Sequence, residues 1–430
     1  MTTDPTRENY LKGSLTVKIV IDQRQVGILQ ADDIVDCYFI EDIFSSCLRG
    51  KITFYDAFGL LEHGPFIGEE MITLVYGLEE EREVAFHIWK VNRIIQAAET
   101  QATTESIIEC YFVDTSFYHM TVPKYSRSYE SGKKATDVVE HILKKMVGWE
   151  SRQINIEDSK TTLENPIALP YWNCVESINW LLSYAEGSIS RSSGYLCFAN
   201  TNKTWSINVY TLNWLMSNNN DLDTTDYVFE SPEEETRFNK IYEWWIEGID
   251  KSKMNVVRGS KFRGYNSSSK KLLTHEFDFT DGIEKTTILG RKALVSDISD
   301  VNSSMNLADP SLKDLKNKVY DLWVKQYSKL NLVNVIVPGN EKRYAGMQIR
   351  IRWPSNNPDQ QRYQKQLEGK YLIKSITHQF HGKNRGSRNY MQKLVLIKNG
   401  YQDSASRSLY DAVKTSLTGG KRKKTELLST

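Results

Sequence analysis

The chain has 430 residues, 40% of them hydrophobic, 25% charged and 11% aromatic, a composition that excludes fibre and disorder and suits about two to four domains with apolar cores of their own. Lys plus Arg number 55 against 54 Asp plus Glu, and the net charge of +1 removes any global electrostatic case for coating nucleic acid or an anionic membrane. Mean hydropathy is -0.49 and no run reaches the ~18 apolar residues of a membrane span, while the polar stretch Met1 to Tyr10 has no apolar signal core, so a chain made in a cytoplasm is expected.

From Leu11 to Asp114 short apolar alternations separated by turn residues predict an all-β region. Leu15, Val17 and Ile19 share a strand face, whereas Val35, Tyr38 and Ile40 belong to a less regular strand. Gly50 to Asp56 reads as a strand with Ile52 and Phe54 on one side. Gly64 and Pro65 then turn the chain toward Gly68 to Gly77, and Phe86 to Ile95 and Glu105 to Val113 follow, enough strands for a small barrel or sandwich.

The period changes after Ser131 to Lys134, where Val138, Val139, Ile142, Leu143, Met146 and Val147 recur at helical spacing. A second helix is capped by Asn173 with Glu176 three residues on, lined by Ile178, Leu181 and Leu182, and stopped at Gly187. Gly194 to Ala199 and Thr204 to Tyr210 are strand-like, which makes Phe117 to Glu230 an α+β module. The acidic patch from Ser231 to Glu235 marks a boundary.

Phe238 to Ile249 predicts a strand apolar on both faces, and Gly264 to Lys271 a Ser-rich loop. Pro310 and Ser311 open a helix with the stripe Leu312, Leu315, Val319, Leu322 and Trp323. Strands return at Leu332 to Val337, Met347 to Trp353, Lys370 to Phe380 and Tyr390 to Lys398, before a basic tail that includes Lys421 to Lys424.

Two segments share a layout. One runs from Gly68 through Met71 to Tyr76, Phe86 to Ile94 and Glu105 to Val113; the other from Gly346 through Met347 to Trp353, Tyr371 to His378 and Asn389 to Ile397. Both read glycine, strand, hairpin, strand, polar loop, strand. Any two antiparallel β regions share some of this, but duplication of one barrel has a specific consequence. A chain carrying two similar domains forms a ring with twice as many quasi-equivalent positions as subunits.

No catalytic constellation emerges. Cys37, Cys47, Cys110, Cys174 and Cys197 are scattered without a C-x-x-C pair, which predicts reduced, buried thiols. Of seven histidines only His378 and His381 are closely spaced, and on a strand they face opposite sides, as solvated histidines at a loop edge. Metalloprotease, serine-hydrolase and nucleotide-cradle motifs are missing, and the loop from Gly339 to Gly346, with Lys342 and Arg343 inside it, lacks the strand-loop-helix setting of a phosphate site. Trp244 and Trp245 beside Glu243 and Glu247 suggest a sugar platform with an acid pair, although an exposed strand gives the same spacing. No catalytic, cofactor-binding or metal residue is therefore expected, and no cofactor.

The order of elements resembles the central hub proteins of contractile-tail bacteriophage baseplates, of the T-even type. The segments that carry the resemblance are Gly50 to Asp56 followed by Gly68 to Leu74, the helix Ile178 to Tyr184, and the closing strands from Tyr344 to Met347 and from Tyr371 to His378, within a likeness spanning Leu11 to Asn399. The resemblance implies a mainly β, α+β chain with two tail-tube-like antiparallel β-barrels. The first would be residues 11–115, and the second residues 237–262 with 330–399. An α+β module at 116–236, an insertion with a helix at 263–329 and a tail at 400–430 complete it. It also implies a homotrimer whose six barrels form a pseudo-hexameric ring in the virion baseplate. Such a ring joins the hexameric tail tube above to a trimeric spike below, contacts the wedge proteins and lets DNA pass without specific binding. The spike would be a separate subunit, because the chain lacks the long β-helical extension of type VI secretion spikes. A tail-associated cell-wall hydrolase and a glycan-binding or type VI spike-like adaptor are the alternatives.

Overall fold

In the computed structural model of the chain, residues 14–21, 24–30, 33–56, 70–77, 80–96, 105–149, 153–190, 192–202, 206–217, 222–229, 239–247, 261–266, 269–276, 295–298, 316–318, 320–321, 332–353, 368–381 and 390–398 are described. Met1 to Tyr10, Gly68, the acidic patch at Ser231, the helix start at Pro310 and the tail with Lys421 to Lys424 lie outside them.

Alternating inward apolar residues build β1 (Ser14–Ile21), β2 (Arg24–Leu29), β3 (Ile34–Asp42), β4 (Arg49–Tyr55), β5 (Met71–Gly77), β6 (Arg82–Gln96) and β7 (Glu105–Asp114). These pair antiparallel in the order β2-β1-β5-β6-β7-β4-β3. Val17, Phe39, Ile52, Phe86, Ile88 and Phe112 are fully buried between them. Gly50 has to be small, because a Cβ there would stand 2.3 Å from the Tyr38 carbonyl and 2.5 Å from the Phe112 ring.

The α+β module follows. It comprises α1 (Ser116–Thr121), β8 (Lys124–Tyr129), α2 (Ala135–His141) running into a π turn over Ile142–Met146, β9 (Ile154–Ile156), β10 (Ile167–Asn173), α3 (Cys174–Tyr184), β11 (Tyr195–Asn200), β12 (Ser206–Thr211) and α4 (Leu212–Met216). The cap of α3 is the one the sequence predicts: Asn173 Oδ1 accepts the Glu176 amide at 2.8 Å and Glu176 Oε2 accepts the Asn173 amide at 3.1 Å. The helix ends at Ala185, two residues before Gly187. That glycine serves packing instead, since a Cβ would meet Glu157 Oε1 at 2.4 Å.

The chain re-enters the large sheet with β13 (Leu222–Tyr227) and β14 (Glu243–Ile246), leaves it for β15 (Lys261–Asn266), β16 (Lys271–Glu276) and β17 (Val295–Ile298), and returns with β18 (Leu332–Pro338), β19 (Gln348–Ile351), β20 (Gly369–His381) and β21 (Tyr390–Lys398). The carboxy-terminal strands pair in the order β14-β18-β21-β20-β19-β13, and a bridge from Val228 to Lys240 leads back to the start of β14. β3 pairs with the distal half of β20, so both sets belong to one 13-stranded sheet. The class is α+β, mainly β.

Two elements differ from the sequence reading. The Ser-rich stretch Gly264 to Lys271 is not a plain loop: it closes an antiparallel β15–β16 hairpin, with Lys270 at φ 53 in the turn. Its polarity hid the strands, and the facing pair Tyr265 and Leu272 lies exposed, 42% and 69%. The strand expected over Phe238 to Ile249 is hydrogen-bonded as β14 only from Glu243 to Ile246 within the described residues. Of the predicted helix near Leu312, residues 316–318 and 320–321 are helical, and Asn317 anchors the segment on the module by donating to the Tyr184 carbonyl at 2.7 Å.

Candidate assembly interface

The two β sets repeat one another in register. In the first, Met71 faces His87, Ile88 faces Phe112, Gly50 faces Phe112 and Tyr38 faces Lys51. In the second, Gln348 faces Leu372, Ile373 faces Leu396, Val333 faces Leu396 and Trp245 faces Asn334. Aligning β6 with β20 at their bulges, Trp89 and Lys374, superposes every one of these pairings: β3, β4, β5, β6 and β7 become β14, β18, β19, β20 and β21. Inward positions coincide as well, for Ile52 and Val335, Ile88 and Ile373, Cys110 and Leu394, and Phe112 and Leu396 are all fully buried. The match ends at the fifth neighbour, where β1 joins β5 antiparallel but β13 joins β19 parallel.

The two units meet where β3 pairs with β20 over seven residues a side, from Asp36 facing His381 to Asp42 facing Ser375. A sealed polar cluster fixes this joint. Glu41 on β3 is fully buried; its Oε2 accepts the Ala345 amide at 2.9 Å, and its Oε1 accepts the Thr201 hydroxyl and lies 3.2 Å from His378 Nε2. His378 Nδ1 is 2.9 Å from the Tyr390 hydroxyl, to which Gln392 donates at 3.1 Å. Burial raises the pKa of the Tyr390 phenol well above its ordinary value. The imidazole also stacks on Phe39 with centroids 4.1 Å apart. Beside it, buried Arg343 donates to Tyr227, Pro338, Gln392 and Asn239 at 2.6 to 2.9 Å, tying β13 and β21 to the Gly339 to Gly346 loop.

His378 is thus not a solvated loop-edge histidine, and Arg343 points inward rather than toward an anion. Both were missed because burial of a polar side chain is set by a strand from elsewhere in the chain. A signal existed in the alternation of Cys37, Phe39 and Glu41, which are buried together after an irregularity near Ile34. Trp244 and Trp245 are consecutive on β14 and so lie on opposite faces rather than side by side as one platform: Lys393 Nζ lies over the Trp245 ring at 4.9 Å, Trp244 packs edge-on against Trp353 at 4.8 Å, and Glu247 accepts from Asn334 at 3.1 Å. All five cysteines are free, Cys197 being half-buried and the others buried. Among the described residues no group of three or more His, Cys, Asp or Glu is placed to hold a metal ion, and no helix is long and apolar enough to cross a membrane.

What this arrangement does chemically is hold the two β units together. Among the described residues β14 pairs only with β18, and β6 beyond its bulge pairs only with β7. Trp244, Trp245 and Ile246 stand 45%, 37% and 44% exposed on β14, and Trp89 is 51% exposed on β6.

No protein-family model and no curated protein matches the chain. Among solved structures it is similar to the 43 kDa tail protein of prophage MuSo2 from Shewanella oneidensis, at 10% identity and a TM-score of 0.57, over 90% of this chain and 99% of that one. It is similar also to the tail protein from Neisseria meningitidis MC58, at 7% identity and a TM-score of 0.53, over 90% and 97% of the two chains. A chain of a PdpA–VgrG complex matches at 11% identity and a TM-score of 0.50, over 90% of this chain and 65% of its own length. At such identities the likeness is one of architecture, and the architecture this chain shares is that of phage tail proteins.

Proposed function

We propose that the chain is a structural hub of a contractile phage tail, a homotrimer whose six β units close a pseudo-hexameric ring. One observation carries the reading: two β units with matching pairing registers are joined edge to edge within the chain, so three copies supply six similar positions. The tail-protein fold supports a place in the virion tail; a position at the baseplate and assembly in the host cytoplasm belong to the same proposal. The ring would adapt a hexameric tail tube to a separate trimeric spike, contact wedge proteins and pass DNA through its lumen without specific binding. Its work is mechanical, with no substrate turned over. The trimer contact should exceed the ~2,000 Å² typical of obligate interfaces.

Light scattering of the purified chain tests this. Three copies of 49.7 kDa give about 149 kDa. A stable monomer at micromolar concentration overturns the ring. Cleavage of purified peptidoglycan by the chain would favour the hydrolase instead.

A further inference from the structure

We propose that β14 of one copy pairs antiparallel with the distal half of β6 of a second copy, with Trp245 facing Ile94. The inference deepens the ring reading above and rests on it. Its template is the β3–β20 joint. By the register match β14 takes the place of β3 and β6 that of β20, so each copy carries one completed joint and, at its two ends, the two halves of another.

Residue correspondence fixes the register. Asp36 to Ile40 of β3 face His381 to Thr377 of β20. Their equivalents place Glu243, Trp244, Trp245, Ile246 and Glu247 opposite Gln96, Ile95, Ile94, Arg93 and Asn92. Burial agrees with a missing neighbour. Cys37 and Phe39 are fully buried at the completed joint, whereas their counterparts Trp244 and Ile246 are 45% and 44% exposed. The facing residues are apolar in sequence, Trp244 and Trp245 against Ile94 and Ile95, and the contact is head-to-tail, so it closes into a ring rather than a twofold dimer. Both edges, which among the described residues have no strand on that side, are then paired.

A cysteine pair at Trp245→Cys and Ile94→Cys tests the register. In the template, Ile43 donates to the Lys374 carbonyl, so by alternation Tyr38 and Gln379 form a non-hydrogen-bonded pair, and Trp245 and Ile94 inherit that geometry, in which Cβ atoms come closest. Under mild oxidation the double variant should give bands at two and three chain masses on a non-reducing gel. A variant with Trp245→Cys and Arg93→Cys, whose thiols face opposite sides, should give none. Tyr38→Cys with Gln379→Cys should link within one chain and leave the mass unchanged. A ladder from the first pair only, or dissociation of a variant that stays folded by circular dichroism while the unsubstituted chain assembles, supports the pairing. An intact multi-chain particle without the ladder, or with equal ladders from both pairs, overturns this edge and leaves the ring standing. A monomeric unsubstituted chain overturns both.

Discussion

Replacing Glu41 by alanine removes the one acceptor on which three parts of the molecule converge: the Thr201 hydroxyl from the end of β11, the Ala345 amide from the loop before β19, and His378 from β20. Glu41 and His378 have no exposed surface, and Thr201 has 3%. Each buried donor left without an acceptor costs about 1–3 kcal/mol, and water entering the alanine cavity recovers part of it, so the net loss should be about 3–5 kcal/mol. Against a typical domain stability of ~5–15 kcal/mol this lowers the folded-to-unfolded ratio by at least roughly a hundredfold. Urea unfolding followed by tryptophan fluorescence reads the loss, and hydrogen exchange should report it first in β3 and β20. Glu243→Ala, at the register position equivalent to Asp36 but on an exposed edge, should stay within about 0.5 kcal/mol. A double-mutant cycle with His378→Phe should return a coupling of about 1 kcal/mol or more. A Glu41→Ala loss below about 1 kcal/mol, or lost protection that spares β3 and β20, would refute the idea that this cluster rivets the joint.

Three further expectations follow from local chemistry. Asn173→Ala removes the α3 cap and should cost about 1 kcal/mol, read as a lower urea midpoint at unchanged slope. Burial pushes the Cys47 and Cys197 thiols up to about 12 and raises those of Cys37, Cys110 and Cys174, so a thiol reagent at pH 8 should label the native chain slowly and all five cysteines after unfolding. The hydrogen bond from Lys51, at 2.5 Å, holds the Glu109 carboxyl down to about 2. Because the folded value lies below the unfolded one, the pair stabilises fully above about pH 4.5 and less as pH falls toward 2. An NMR titration of Glu109 should show the low midpoint, and Lys51→Met should raise it.

Sequence legibility followed how local each feature was. The α3 cap depends on Asn173 and Glu176, neighbours on one turn, and was readable as written. The repeat was readable as order, glycine then three strands, because alternation is local to each strand. Its register was not, since register is a relation between strands and depends on bulges such as those at Trp89 and Lys374 that leave no pattern in the residues. The polar cluster was hidden for the same reason. Glu41 looks like one more surface carboxylate until β20, more than 330 positions away, covers it. The β15–β16 hairpin was hidden in a different way, because the serines between its strands read as loop and the facing pair Tyr265 and Leu272 is exposed.

The contrast between the completed joint and the open edges fits what assembly asks of each. The joint inside the chain has its partners on one polypeptide, so it accommodates a buried acidic side chain: Glu41, His378, Tyr390 and Gln392 form one hydrogen-bonded network. In the proposed ring the equivalent edge at β14 would have to survive in water until another copy arrives. A buried charge awaiting its partner would be costly there, and a wholly apolar strand would invite indiscriminate pairing. The sequence places indoles and an isoleucine in the centre, covers one indole with Lys393, and flanks them with Glu243 and Glu247. Those carboxylates keep the edge hydrated and, in the proposed pairing, would stand opposite the polar Gln96 and Asn92. In the proposed ring the repeat would supply six similar positions from three copies, and the difference between the two joints would separate the one that folds from the one that assembles.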